Sequence, residues 1–226
     1  MAGPTYPDRY DPFNGQGIPD AFNLAPLRPP AGGAQALIVG IGVCDLEKNE
    51  VLEFCRWELE QTGTTVRMLT QQEFQGFNLE LERTVSLINR TVRSATRVTN
   101  AGRPFLPLRW FPHPFYPQPA SDELCRFNLP VRLAESDGFR LADNGFVTRK
   151  RWPWTDGYFL PVDHEAQAPL VVLQKHPVLG LVAASTSYVP AFMPIWGNHT
   201  TFSFEPFFER TLGPGQATSW WVDYDF

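Results

Sequence analysis

The sequence predicts an all-β protein, a large antiparallel sandwich, on three observations. Short apolar or alternating runs follow one another from about residue 36 onward, each bounded by turn signals. No stretch of about ten residues or more carries a helical period, and the best candidate, Cys44 to Phe54, spaces its apolar residues too irregularly. The chain also holds 22 prolines and 17 glycines in 226 residues. Proline interrupts the helical ladder, so long helices and coiled coils are excluded.

The elements follow in order. Residues 1–35 are rich in Pro, Gly and Asn and read as an irregular arm, with 36–226 as a single β-sandwich domain. Strands are expected near 36–43, 50–60, 64–72, 79–87, 90–99, 105–116, 124–133, 158–163, 169–175, 179–188 and 200–206, and at the carboxy-terminal end of the chain. The clearest alternation runs from Leu79 to Leu87. Leu79, Leu81, Val85 and Leu87 share one face, and Glu80, Glu82, Thr84 and Ser86 share the other. Arg83 falls on the apolar face and so requires a partner there. Trp220, Val222, Tyr224 and Phe226 alternate in the same way. Turn signals stand at Asn100-Ala101-Gly102, Asp137-Gly138, Asn144-Gly145 and Gly213-Pro214-Gly215. A propeller would show repeated blades, and no internal repeat is present.

Composition narrows the function. The net charge of -5, from 19 basic and 24 acidic residues, argues against a nucleic-acid partner, which needs a basic face to neutralise phosphates. Cys44, Cys55 and Cys125 form no CxxC pair, so they read as reduced, buried thiols rather than a disulfide framework or a zinc site. No apolar stretch approaches the roughly 18 residues of a membrane span, and the first residues show no basic or apolar leader. The expected location is therefore cytoplasmic, and the sequons at Asn89 and Asn198 read as chance matches. His113, His164, His176 and His199 show no metal-ligand spacing, so a metal site is not expected, and no phosphate-binding glycine loop or nucleophile elbow is present.

Three segments carry chemistry. In Arg109-Trp110-Phe111-Pro112-His113-Pro114-Phe115-Tyr116, an extended backbone points Arg109, Phe111 and His113 the same way. The flanking prolines remove backbone donors and favour a strand end or edge. His113 between two prolines and several aromatic rings is desolvated; it is either a reactive group or the cap of an aromatic cluster. In Thr201-Phe202-Ser203-Phe204-Glu205-Pro206-Phe207, Glu205 is either a base with a raised pKa or a solvated carboxylate at a strand end. In Arg151-Trp152-Pro153-Trp154-Thr155-Asp156-Gly157, tryptophans beside an aspartate suit a sugar, whose C–H faces stack on indoles while a carboxylate takes hydroxyls. A core aromatic cluster with a turn at Asp156-Gly157 explains the same residues.

In this order the segments resemble the aldose 1-epimerase family, the galactose mutarotase-like proteins. The stretch from Arg109 to Tyr116 is similar to the family strand bearing its catalytic histidine, and Thr99-Asn100-Ala101-Gly102-Arg103-Pro104 to the T-N-x-G hairpin before it. Phe204-Glu205-Pro206-Phe207 is similar to the strand of the catalytic glutamate. Leu212-Gly213-Pro214-Gly215-Gln216, running into Trp220-Trp221-Val222-Asp223-Tyr224-Asp225-Phe226, is similar to the closing element, and Gly15-Gln16-Gly17-Ile18-Pro19 to a glycine-rich loop.

The resemblance implies a galactose mutarotase-like supersandwich of two large antiparallel sheets and an aldose ligand. It implies His113 as general acid on the ring oxygen and Glu205 as general base on the anomeric hydroxyl, with no cofactor or metal. Arg109, Asp156, Trp154 and Trp196 would contact substrate, with Asp163 competing with Asp156 for the hydroxyls. The sequence departs from the family in three ways. Members are usually longer, so the first strands would be missing here. An early H-G histidine has no counterpart. Sugar-phosphate epimerases carry an Arg where Gly15 stands, which points away from a phosphosugar, with Arg109, Arg90 and Arg93 as the remaining basic candidates. The alternatives are a non-catalytic carbohydrate-binding protein of the same fold and an assembly protein whose aromatics make an interface. A monomer or a homodimer is expected.

Overall fold

A computed structural model of the chain describes residues 20–21, 23–154, 156–165 and 167–226. Every regular element among them is a β-strand: β1 Asp20–Ala21, β2 Gln35–Ile38, β3 Gly42–Asp45, β4 Glu50–Phe54, β5 Glu58–Thr62, β6 Thr65–Phe74, β7 Phe77–Ile88, β8 Thr91–Asn100, β9 Leu106–Pro112 and β10 Tyr116–Pro117. The chain continues through β11 Glu123–Phe127, β12 Val131–Leu133, β13 Phe139–Leu141, β14 Phe146–Arg149, β15 Tyr158–His164, β16 Val171–His176, β17 Gly180–Thr186, β18 Pro194–Gly197, β19 Thr201–Phe204, β20 Phe208–Leu212 and β21 Ala217–Asp225. The glycine-rich Gly15–Pro19 segment and most of the expected amino-terminal arm lie outside the described residues. No helix among the described residues is long and apolar enough to cross a membrane.

The described residues form two compact units. The first comprises Ala21–Trp110 and Glu209–Trp221. It holds a three-stranded sheet, β2-β3-β4, and an antiparallel meander, β5-β6-β7-β8. Its longest ladder pairs β6 with β7 from Thr65↔Ser86 to Phe74↔Phe77. Gln75 and Gly76 close that hairpin with φ of 45° and 92°, the pair of positive angles that a two-residue turn matched to strand twist requires. Leu79 and Leu81 are completely buried, as their alternation predicts. Arg83 is buried beside them and donates from Nη2 to Ser94 Oγ at 2.6 Å, the partner its position demands. Leu87 has left the core by the strand's end and is exposed.

Two of the sequence segments singled out above meet in this unit. Asn100 is buried; its Nδ2 donates to Pro104 O at 2.8 Å and to Leu212 O at 3.0 Å, and its Oδ1 accepts from Gly102 N at 3.0 Å. The Asn100 amide donates to Gln216 O, and the Asn100 carbonyl accepts from Gly215 N. The T-N-x-G turn and the L-G-P-G-Q turn are therefore one hydrogen-bonded junction, although 112 residues separate Asn100 from Leu212.

The second unit comprises Phe111–Phe208 and Val222–Phe226. One sheet has the order β13-β14-β11-β16-β17, and the end of β21 adds to β17 from Ala183↔Asp225 to Thr186↔Val222. The other has the order β10-β19-β18-β15-β12. Rings link the two: Phe139 of β13 meets Phe202 of β19 edge-on, with centroids 5.9 Å apart, and both are buried.

Several expected strands are pairs. The run near 36–43 contains the turn between β2 and β3, where Gly40 has φ 80°. The run near 50–60 is β4 and β5; 105–116 is β9 and β10, interrupted in the proline-rich stretch; and 124–133 is β11 and β12, parted by a turn that includes Pro130. Strands β13, β14 and β18 are too short to show a period and were not legible.

Core burial gives a direct expectation. Leu81→Ala removes a fully buried side chain and should cost about 2–5 kcal/mol in urea unfolding. Leu59→Ala, at a site 70% exposed, should stay within about 0.5 kcal/mol. Equal effects of the two would overturn the assignment of the meander's inner face.

Candidate functional site

The site is built where β9 ends and where the β18–β19 hairpin opens. Pro112 and Pro114 flank His113 and supply no N–H, so the segment leaves its sheet at this point. Strand β10 then pairs with β19 through Tyr116↔Phe202 and Pro117↔Thr201. Trp196 of β18 stands opposite Ser203 of β19. Glu205 follows β19 directly, and its amide donates to Pro194 O at 3.0 Å, which fixes the backbone that carries the carboxylate. One further turn is pinned by Phe207 N donating to Phe192 O at 2.8 Å.

These constraints bring His113 Nε2 to 3.2 Å from Glu205 Oε1. The imidazole is enclosed by rings: the Phe115 centroid lies 4.3 Å away, Trp196 5.7 Å and edge-on, and Phe111 5.9 Å. Phe207 stacks on Phe111 at 4.5 Å. Glu205 is 6% exposed, so it is not the solvated strand-end carboxylate that spacing alone permits. Burial pushes its carboxyl up to about 8 and the His113 imidazole down to about 4. Both groups thus favour their neutral forms, and near neutrality the pair holds one transferable proton across one hydrogen bond. His113 Nδ1 is buried with no hydrogen-bond partner among the described residues.

The remaining candidates separate. Gly157 has φ 83°, and a Cβ there would stand 2.8 Å from the Trp196 indole nitrogen, so only glycine lets this turn lie against the ring. Asp156 is exposed next to that glycine, one turn from Trp196, whose ring in turn meets His113. Asp163 lies five residues beyond Tyr158 on β15, about 17 Å along the strand, where it pairs in register with Arg132. Asp156 thus stands at the Trp196 end of β15 and Asp163 at the other. Trp154 packs with Phe139 at 4.8 Å and Tyr158 at 5.7 Å, in an aromatic cluster. Arg109 belongs to the first unit, where its Nε lies 3.2 Å from Glu209 Oε1. No cluster of three or more His, Cys, Asp or Glu among the described residues is arranged to hold a metal.

One supporting residue gave no sequence signal. Arg149 reads as part of a charged Arg149-Lys150-Arg151 run, yet it is 4% exposed. Its Nη2 donates to Pro119 O at 3.0 Å and Ser121 O at 2.6 Å, and its Nη1 to Gln118 Oε1 at 3.1 Å. Its guanidinium also lies 4.5 Å from the Trp152 ring centroid. Gln118 Nε2 passes the connection on to Asn198 O at 2.8 Å and Thr201 O at 2.9 Å. The hairpin that carries Trp196 and leads to Glu205 is held from this side. Phe115 was not among the expected site residues either, although its place two residues from His113 on an extended backbone is a signal that would have pointed to it.

Comparison with known proteins adds the fold. No family model and no curated protein matches the chain. Solved structures do. A candidate aldose 1-epimerase from Escherichia coli K12 superposes with a TM-score of 0.62 at 13% identity, over 92% of this chain and 83% of that one. A galactose mutarotase related enzyme from Lactobacillus acidophilus superposes with a TM-score of 0.60 at 13% identity, over 92% and 82%. A galactose mutarotase-like protein from Lactobacillus casei gives 0.54 at 14% identity, over 92% and 84%. The chain has the galactose mutarotase-like fold.

The buried pair makes stability depend on pH with a definite sign. Glu205 titrates near 8 when folded against an ordinary 4.5, so the folded state binds the extra proton and stability falls as pH rises between those values. His113 titrates near 4 against an ordinary 6.5, so its contribution rises with pH over that lower range. The two oppose each other between 4.5 and 6.5, and Glu205 acts alone from 6.5 to 8. The urea midpoint should therefore fall across that upper interval, and Glu205→Gln should flatten it. A wild-type midpoint that rises there would contradict the burial of Glu205.

Proposed function

We propose that the protein interconverts the anomers of an aldose by acid–base ring opening, with His113 and Glu205 exchanging protons with the sugar. The observation that carries this reading is their 3.2 Å contact in a site walled by aromatic rings. The fold supports it, because solved structures of the same fold bear the names galactose mutarotase related enzyme and galactose mutarotase-like protein.

The proton count fits the reaction. Opening removes a proton from the anomeric hydroxyl and delivers one to the ring oxygen as the carbon–oxygen bond breaks; its electron pair goes to that oxygen while a carbonyl forms at C1. Rotation about C1–C2 and the reverse transfers close the other anomer. One group must hold a proton and the other must lack it, which is the state of this pair between its two titrations. Glu205 takes the anomeric proton and His113 delivers the other, which requires the shared proton to stand on His113 when substrate is seated. Trp196 is the stacking surface, and Asp156 the acceptor for sugar hydroxyls.

A second reading has its own observation. His113 and Glu205 touch directly, so a sugar ring must break their hydrogen bond to lie between them. A protein that binds carbohydrate beside the pair without turnover would leave that bond intact.

Polarimetry separates the two. With glucose, galactose and their 6-phosphates, the wild type should accelerate mutarotation of at least one unphosphorylated sugar. His113→Asn and Glu205→Gln should each lower kcat by about 100-fold or more. The kcat/KM profile should be bell-shaped, with limbs near 4 and 8. Sugar binding by folded protein without acceleration would establish the second reading instead.

A further inference from the structure

The backbone of residues 205–207 runs against that of residues 191–194 along one edge. Glu205 N donates to Pro194 O at 3.0 Å, Phe207 N donates to Phe192 O at 2.8 Å, and Phe207 O accepts from Ala191 N at 2.9 Å. In such a ladder successive residues turn their polar groups to opposite edges, so Pro206 faces the other edge. Proline brings no N–H there, and its carbonyl is the one backbone group it has to bond. Pro206 is buried, so that carbonyl needs a partner.

The partner is Tyr188. Its hydroxyl donates to Pro206 O at 2.8 Å, across 18 residues of sequence. Tyr188 stands two residues beyond the end of β17 and is 5% exposed. It is fixed in turn. Thr186 Oγ1 donates to Tyr188 O at 2.6 Å and accepts from Leu170 N at 3.1 Å. The Tyr188 ring meets Phe208 edge-on, with centroids 5.2 Å apart. The Glu205 segment is thereby clamped from both edges, by the backbone before and within β18 and by a phenol that follows a strand of the opposite sheet. The bonds that Arg149 relays end at Asn198 O and Thr201 O and do not reach this segment.

We propose that Tyr188 is a positioning residue for Glu205: its hydroxyl holds the Pro206 carbonyl and so keeps the Glu205 carboxyl against His113. It acts through the backbone and exchanges no proton with the pair. Without this bond one edge of the segment is unpinned, and the carboxyl can turn away from the imidazole and toward water. Each member of the pair then moves toward its ordinary titration. Among the described residues the one ionic contact of Glu205 is with His113, and Glu209, the next acidic residue along the chain, is paired with Arg109. The consequence for turnover rests on the ring-opening reading above; the consequence for titration does not.

The test reads both. Tyr188→Phe keeps the ring and deletes the donor. By NMR, the Glu205 titration should fall from about 8 toward 4.5 and that of His113 should rise from about 4 toward 6.5. On the sugar that the wild type accelerates, kcat should drop about tenfold or more while KM stays within about twofold. Thr186→Val, which loosens Tyr188 without touching Pro206, should shift both titrations in the same directions by less. Tyr188→4-aminophenylalanine restores a donor at the same ring position and should recover most of the titration shift and of kcat. Leu81→Ala, which loosens the first unit, should change neither, and thermal melts report whether each variant is folded. Titrations unmoved in folded Tyr188→Phe and Thr186→Val, shifts matched by Leu81→Ala, or no recovery with the para amino group would each overturn the proposal. If the wild type accelerates no sugar, the ring-opening reading falls and the titrations alone decide the role of Tyr188.

Discussion

The single proton held between His113 and Glu205 is the constraint around which the second unit's site is arranged. Neither group tolerates charge cheaply where it stands. Phe111, Phe115 and Trp196 remove water from the imidazole, and the chain from Glu205 into Pro206 and Phe207 removes it from the carboxyl. Desolvation acts in opposite directions on an acid and a base, so one environment separates the two titrations and leaves a one-proton pair across neutrality. Such a pair must be held rigidly, because a shift of even an ångström would replace a hydrogen bond with two unsatisfied groups. Among the described residues His113 Nδ1 already has no hydrogen-bond partner, and leaving a buried nitrogen unpaired costs about 1–3 kcal/mol.

That rigidity comes from backbone bonds and from one buried cation. The amide of Glu205 is tied to Pro194 of β18 and that of Phe207 to Phe192 just before it. Arg149 fastens the Pro119–Ser121 loop and passes through Gln118 to two carbonyls of the β18–β19 hairpin. A guanidinium suits this work because its planar fork reaches several carbonyls at once, which a lysine ammonium does not. The glycine at 157 serves the same end by letting the turn beside Asp156 close on the Trp196 ring.

What the sequence disclosed follows from the range of each signal. Period-2 alternation is local, so the inner face of β7 was legible at Leu79 and Leu81 and at the odd Arg83, whose Nη2 reaches the Ser94 hydroxyl, but not at Leu87, where the strand leaves the core. The same signal merges strands when a hairpin turn is built from apolar residues, as at Val39-Gly40-Ile41, or when a strand is as short as β13. Chemistry at short spacing was legible too. The prolines around His113 and the phenylalanines around Glu205 announce dry surroundings before any fold is known. Arg149 was not legible, because its partners are carbonyls about 30 residues away and its neighbours are charged. Asn100 was legible only as a turn; its bond to Leu212 depends on a pairing that no local pattern encodes. Trp154 and Trp196 show the limit most clearly. Trp154 lies outside any strand and packs on Phe139 and Tyr158, whereas the Trp196 ring on β18 meets His113, a difference that no local pattern encodes.

The proposed chemistry also requires the empty and occupied sites to differ in where the proton sits. With no sugar present, burial places it on Glu205 and leaves His113 neutral. An arriving sugar brings hydroxyls between the rings and replaces apolar surroundings with hydrogen-bonding ones. That change lowers the cost of charge on both groups, raising the imidazole's affinity for the proton and lowering the carboxyl's. In the proposed reaction the proton would then move toward His113, facing the ring oxygen, and Glu205 would become the base. A small apolar intruder would leave the proton on Glu205 and the pair inert. Selection for a polyhydroxylated ligand would then reside in the dryness of the pocket as much as in any contact to a particular hydroxyl.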